Sequence, residues 1–341
     1  MTFVVVILGL AALILIHEFG HFITAKLLGM KVEEFGIGFP PRLFKKRFGE
    51  TDYSVNLLPF GGFVRLQNED GSEKGGFNDE PARKKIPVIL AGIFMNLLLG
   101  WLLLSVVFAV GAPQHLMILE VAPGSPASAA RLLAGDVVSN LKAGDMNFAD
   151  PISSQDFTGA VKGAPNIILG IERGSKKMNI EIAPRLNPPE GQGPLGVNIT
   201  ETGFVAQPIS SAFVSGFTGV WETSKMVIEG LVMFFGQLFT APRAIENVAG
   251  PVGIVFIAAQ ATSLGFIYLI QLLALISVNL AVLNLLPFPA LDGGRFLFLI
   301  IEKIIRRPIS KQFQIWVNGA GFAALILLMV FITVKDVVRF F

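Results

Sequence analysis

The chain has 341 residues, 52% of them hydrophobic and 15% charged, with a net charge of +2. Soluble domains run near 45–50% apolar and about 25% charged, so this composition, with a mean hydropathy of +0.65, describes a membrane protein that also carries a soluble part. A near-neutral chain without a basic stripe and interleaved aromatics excludes nucleic acid as a partner. The absence of cysteine excludes disulfides and any thiolate ligand or nucleophile.

In chain order, residues 1–28 open with MTFVVVILGLAALILI, which lacks a basic start and a small-residue cleavage site, so a retained first transmembrane helix is expected. Residues 29–85 form a loop whose runs DYSVNLL and GGFVRL alternate and are broken by Gly and Pro. They predict membrane-associated β-hairpins, with a polar, Gly-rich stretch at LQNEDGSEKGGFNDEPARKK. Residues 86–111 are the second span. Residues 112–205 form a compact β-rich domain, patterned most clearly over 115–186: a strand at HLMILEV, a turn, a short helix after GSPA, a strand after Gly135–Asp136, then two strands joined at Arg173–Gly174–Ser175. Residues 206–264 carry a helical pattern with Ser, Glu and Lys between Phe, Val, Trp and Met, read as interfacial or re-entrant helices. Residues 265–341 hold the third and fourth spans, near 265–287 and 315–334.

The fold class is therefore a polytopic α-helical membrane protein of about four transmembrane helices, in contact with the lipid bilayer, with two β-rich regions. Basic residues concentrate between spans one and two (Arg42, Lys45, Lys46, Arg47) and again after span three (Arg306, Arg307, Lys311). Four spans put both loops on one side, which the positive-inside rule makes cytoplasmic, with the segment from 112 on the other side.

The first span contains His17-Glu18-Phe19-Gly20-His21, the pattern H-E-x-x-H. Ionisable groups at bilayer depth cost about 2.5–3.5 kcal/mol each on the insertion scale, and something must offset this. Residues i and i+4 share a helix face, so both imidazoles can reach one Zn²⁺. Glu18 flanks the metal without being forced to ligate it, the placement of a general base acting on water. A catalytic zinc needs a third protein ligand. His115 is the only other histidine and lies beyond the second span, which leaves a carboxylate near membrane depth. Asp292 stands out in NLLPFPALDGGR, residues 284–295, where Pro287 and Pro289 break the helix and Gly293–Gly294 allow close backbone approach. The alternative is that Asp292 caps the helix that follows.

HEFGH in the first span and NLLPFPALDGG at the third resemble the site-2 protease family, specifically its bacterial RseP-type intramembrane zinc metalloproteases. FGIGFPPRLF and LLPFGGFVRL are similar to that family's membrane-associated β-region, VAPGSPASAARLLAGDVV to its PDZ module, and NVAGPVGIV to a stretch before its third span. The resemblance covers nearly the whole chain in order. It implies His17, His21 and Asp292 as zinc ligands and Glu18 as the base. It also implies Asn284 near the substrate backbone or developing oxyanion, for which a helix–helix hydrogen bond is the alternative. The edge around Gly61 and Gly62 would take an extended substrate as an added strand. Substrates would be single-span transmembrane proteins or peptides, such as anti-sigma factors or remnant signal peptides. One PDZ-like module is found where some members carry two, and it would act as a filter for substrate size. A non-catalytic PDZ-bearing scaffold and a metal-ion transporter are the alternatives, opposed by the presence of Glu18 and by the lack of matched broken helices.

Overall fold

In a computed structural model of the chain, residues 2–68, 76–173, 176–189, 191–237 and 250–340 are described. The Gly-rich stretch at 69–75, the turn residues Gly174 and Ser175, and the first residues of NVAGPVGIV lie outside them. Contacts divide the chain into two units, one of residues 1–105, 213–259 and 269–341, the other of residues 106–212 and 260–268.

Among the described residues, four helices are long and apolar enough to cross a membrane: 4–27, 82–110, 266–285 and 311–338. They fall within α1 (Thr2–Leu27), α2 (Ala82–Val110), α7 (Phe266–Leu285) and α9 (Lys311–Phe340). The four predicted spans correspond to these within a few residues. Between lipid-soluble helices there is no hydrophobic drive to associate, so small residues that admit a close neighbour fix the packing. A Cβ on Gly20 of α1 would lie 2.6 Å from the Ala91 carbonyl oxygen of α2. One on Gly100 of α2 would lie 2.6 Å from Val278 of α7.

The first loop folds as β1 (Val32–Phe48) and β2 (Thr51–Leu66), paired antiparallel overall. Their register is more informative than the count of two. Residues 34–37 of β1 pair with 65–62 of β2 on one side and with 52–55 on the other, where the numbers rise together. Residues 42–48 pair with 56–51. Both strands therefore bend, around Gly38 (φ +76°) and Gly61 (φ +88°), conformations that side-chain-bearing residues rarely adopt. The sheet reads as four runs in the order 61–66, 32–37, 51–56, 42–48, which matches the short broken runs expected from sequence. Residues 61–66 form one outer edge. Its inner end joins a core of Ala25, Val32, Leu66, Phe77, Val88 and Ile89, beneath which α8 (Asp292–Ile305) contributes Phe296 and Leu299.

The second unit is built on a six-stranded sheet. The strands are β3 (Ala112–Val121), β4 (Val137–Ala143), β5 (Met146–Ala149), β6 (Ile167–Arg173), β7 (Lys176–Ile182) and β8 (Val197–Phe204). The order is β7-β6-β4-β3-β8, with β5 on β4. Helices α3 (Pro126–Ala129) and α4 (Ser154–Val161) start on Ser125 and Ser153, whose hydroxyls accept from Ser128 N–H and Asp156 N–H. Leu116, Ile118, Leu141, Leu169 and Ile171 form its fully buried centre. The sheet needs β8, so the folded unit runs past 186 to the wider limit of 205. Residues 206–264 contain α5 (Ile209–Gln237) and α6 (Pro251–Leu264). Trp101 Nε1 donates to the Phe213 carbonyl at 2.8 Å, tying α5 to α2.

Candidate metal centre

The site starts from the periodicity of α1. His17 and His21 project from consecutive turns with ring centroids 4.8 Å apart and nearly perpendicular, and their Nε2 atoms lie 3.2 Å from each other. From 271 residues further along the chain, Asp292 Oδ2 comes within 3.0 Å of His17 Nε2 and 3.3 Å of His21 Nε2. All three potential ligand atoms lie within 4.8 Å of one another. His115 is not among them. It is paired with Asp150 at 2.7 Å within the β-rich unit.

Asp292 reaches this position because the chain between α7 and α8 is tightly held. A Cβ on Gly293 would meet the Leu286 carbonyl oxygen at 2.2 Å, and one on Gly294 the Phe288 carbonyl oxygen at 2.2 Å. Ala290 adopts φ +74°, a left-handed conformation that costs a residue with a Cβ roughly 1–2 kcal/mol. Its N–H donates to Asn318 Oδ1 of α9 at 3.1 Å. The alternative reading of Asp292 as a helix cap does not describe this turn. Leu291 occupies the cap position, and no side-chain cap hydrogen bond forms.

The donor set fits a divalent ion. Asp292 Oδ2 is buried and has no hydrogen-bond donor, although two imidazole nitrogens approach it. His21 Nδ1 donates to the Val88 carbonyl at 2.7 Å, which leaves its Nε2 lone pair facing the carboxylate. Gly92 of α2 makes room for both rings: a Cβ there would sit 2.5 Å from His21 Nε2 and 2.6 Å from His17 Cε1. Two imidazole nitrogens and a carboxylate oxygen converging within 4.8 Å form a donor set that a divalent cation satisfies.

A cavity of about 350 Å³ opens on this group, lined by His17, Glu18, His21, Asn284, Asp292 and Arg295, among others. Glu18 and Asn284 are thus brought to the same space as the ligands. Gly61 and Gly62 do not line it; their neighbours Phe63, Val64 and Leu66 do. Gly62 instead lets the outer run of β2 lie against α1, since a Cβ there would be 2.7 Å from Leu15 Cδ2. A second cavity of about 560 Å³ shares Phe77, Ile89 and Arg295 with the first and is lined also by Lys85, Glu302 and Lys311. Sequence reasoning passed over Gly92, Asn96, Ala290 and Asn318. The available signal was a Gly and an Asn four residues apart in the otherwise apolar run AGIFMN, the same helical spacing as the two histidines.

Comparison with known proteins agrees with this geometry. A Clostridium perfringens protein named as an inferred zinc metalloprotease is 34% identical over 99% of both chains. The membrane metalloprotease ARASP of Arabidopsis thaliana chloroplasts is 32% identical over 96% of this chain and 76% of its own. The Bacillus subtilis regulator of sigma-W protease RasP is 27% identical over 100% of this chain and 99% of its own. The family model described as peptidase family M50 matches residues 5–328, a stretch that takes in the paired histidines, the β-sheets and the turn at Asp292. The chain is a multi-pass membrane metallopeptidase and belongs to peptidase family M50, the site-2 protease family.

Proposed function

We propose that this protein is an intramembrane zinc endopeptidase that cuts peptide bonds within or beside the transmembrane segment of single-span membrane proteins. The observation that carries the reading is the convergence of His17 Nε2, His21 Nε2 and Asp292 Oδ2 in a cavity that Glu18 also lines, with both histidines on a helix of membrane-spanning length. His17, His21 and Asp292 would hold Zn²⁺. The ion, when bound, supplies Lewis acidity and makes water a competent nucleophile near neutral pH. Glu18 accepts the proton of the attacking water and delivers it to the leaving amine. Asn284 presents its amide towards the scissile carbonyl, where a fixed donor stabilises developing negative charge.

A helical substrate hides its scissile carbonyl in its own hydrogen bonds and must be extended before attack. The run 61–66 forms an outer edge of the sheet, with Phe63, Val64 and Leu66 in the cavity wall and Gly61 and Gly62 at its start, and this edge would receive an extended segment as an added strand. The second cavity, with Lys85, Glu302 and Lys311 in its wall, gives water and polar product a route that avoids lipid. Residues 29–85 and the site face the cytoplasm, while the β-rich domain of 112–205, PDZ-like in its sequence, lies on the opposite side and screens substrates by size. The helices α5 and α6 are interfacial or re-entrant. The name of the Bacillus subtilis relative favours regulators of transcription factors, such as anti-sigma proteins, as substrates.

The test is cleavage of a single-span reporter in proteoliposomes. Wild-type protein is expected to cut within or next to the span, and Glu18→Gln to retain zinc without cutting. Full cleavage by Glu18→Gln would overturn the assignment.

A further inference from the structure

The residues so far assigned leave one buried polar side chain beside the ligands without a role. Asn96 of α2 is fully buried. Its Nδ2 lies 3.4 Å from His17 Nδ1, and its Oδ1 has no hydrogen-bond partner. Its backbone carbonyl accepts from Ser277 Oγ of α7 at 2.8 Å, which holds this turn of α2 in place independently of the side chain.

Resting on the zinc reading above, we infer that Asn96 is the positioning residue for His17: its side-chain oxygen accepts a hydrogen bond from His17 Nδ1–H and so presents Nε2 as the ligand atom. A neutral imidazole carries one proton. With Asn96 Nδ2 facing the ring, Nδ1 would have to accept, and the proton would sit on Nε2, the atom directed at Asp292 and the metal. A half-turn of the amide exchanges oxygen and nitrogen, which are nearly the same size, without moving another group. Either orientation leaves one end of the amide unpaired. Only the oxygen-facing one makes a hydrogen bond to an imidazole whose Nε2 is free to ligate.

His21 shows the same solution made with backbone, its Nδ1 donating to the Val88 carbonyl. Both ligand rings of α1 are thus oriented from α2, at Val88 and Asn96, with Gly92 midway between them leaving the space the rings occupy. Such outer partners fix ring orientation and raise the basicity of the ligand nitrogen, and their loss commonly weakens metal affinity about 10–100-fold.

The test is zinc affinity, measured by competition with a chelator on purified full-length protein, so that no substrate is needed. Wild type, Asn96→Asp and Asn96→Leu are compared. Asn96→Leu is expected to weaken zinc binding about 10–100-fold, while Asn96→Asp, which keeps an acceptor and loses the donor, stays within a few-fold of wild type. If Asn96→Leu does not fold, Asn96→Ala carries the same expectation. Wild-type affinity in Asn96→Leu or Asn96→Ala overturns the inference, and so does an Asn96→Asp variant as weak as Asn96→Leu, because the ring would then need a donor. A wild-type protein that binds no zinc at all refutes the metal assignment itself, before any variant is compared.

Discussion

Asp136 and Asp336, buried among the described residues, support structure and differ from Asp292 at the metal centre. Asp136, in the β-rich unit, is 1% exposed and fully engaged: Arg173 donates to both of its oxygens at 2.6 and 2.7 Å, and the Leu133 N–H adds a bond at 2.9 Å. Asp336 of α9 is 2% exposed and accepts from the N–H groups of Gly250 and Gly253, each at 2.8 Å. Asp292 is less deeply buried, its side chain 14% exposed, but one of its carboxylate oxygens is itself buried with no hydrogen-bond partner and lies 3.0 Å from His17 Nε2. Burial of a charge is tolerated where hydrogen bonds complete it. Where they do not, the missing partner comes from outside the chain. The contrast separates a carboxylate that holds a fold from one that holds a ligand.

The contrast can be broken or sharpened experimentally. The largest effect is expected at the incomplete carboxylate: Asp292→Ala should remove nearly all bound zinc and with it all cleavage, while leaving the unfolding temperature of the metal-free protein nearly unchanged. Zinc content by elemental analysis and a thermal melt check this. Next, Glu18→Gln should keep one zinc per chain and lower the cleavage rate by about 10²–10⁴-fold, the usual contribution of a general base, as read from single-turnover kinetics.

Asp136→Ala should behave in the opposite sense to Asp292→Ala. It leaves the Arg173 guanidinium, whose pKa Asp136 raises above its ordinary value, without its partner. Arg173 is 32% exposed and can turn to water, so the loss is that of hydrogen bonds to a charged group, about 1.5–3 kcal/mol, and the β-rich unit should melt early while zinc content holds. A smaller effect is expected at Asn318. Its replacement by Ala removes the hydrogen bond that holds Ala290, worth about 0.5–1.5 kcal/mol, and should weaken zinc binding modestly. Ala290→Gly in the same background should restore part of it by relieving the left-handed backbone.

The smallest effect concerns pH. Lys45 holds the half-buried Asp52 carboxyl below its ordinary range by a hydrogen bond. A depressed folded-state pKa gives stability that is fully present above the unfolded value and lost as pH falls through the folded one. Lowering the pH from 7 to 5 should therefore leave this hairpin contact intact, and only stronger acid should loosen it, as followed by amide exchange at 44–54.

Much of this was legible in the chain. H-E-x-x-H is a local pattern, and helical geometry alone puts its histidines on one face. Asp292 could be singled out because Pro287, Pro289 and two glycines mark irregular backbone at membrane depth. The broken alternation of the first loop foretold short runs. The parallel pairing of 34–37 with 52–55, which leaves 61–66 as the outer edge, is a tertiary choice with no signature in spacing. The final strand was missed over 115–186 because VNITETGF is too polar to read as a buried strand, and it lies at the end of the sheet order. Gly92 and Asn96 were missed for a related reason. Inside a run as apolar as IPVILAGIFMNLLLG, hydropathy registers a span and hides the two positions that matter to its neighbour.

The close fit of Gly20 against Ala91, and of Gly92 against both imidazoles, also has a mechanical consequence. Neither helix can slide or roll past the other without a collision at backbone or ring, so α1 and α2 behave as a single rigid plate bearing two ligands and their braces. Any breathing of the bundle that admits a substrate must hinge elsewhere. Motion at the turn bearing Asp292 would open the ligand triangle.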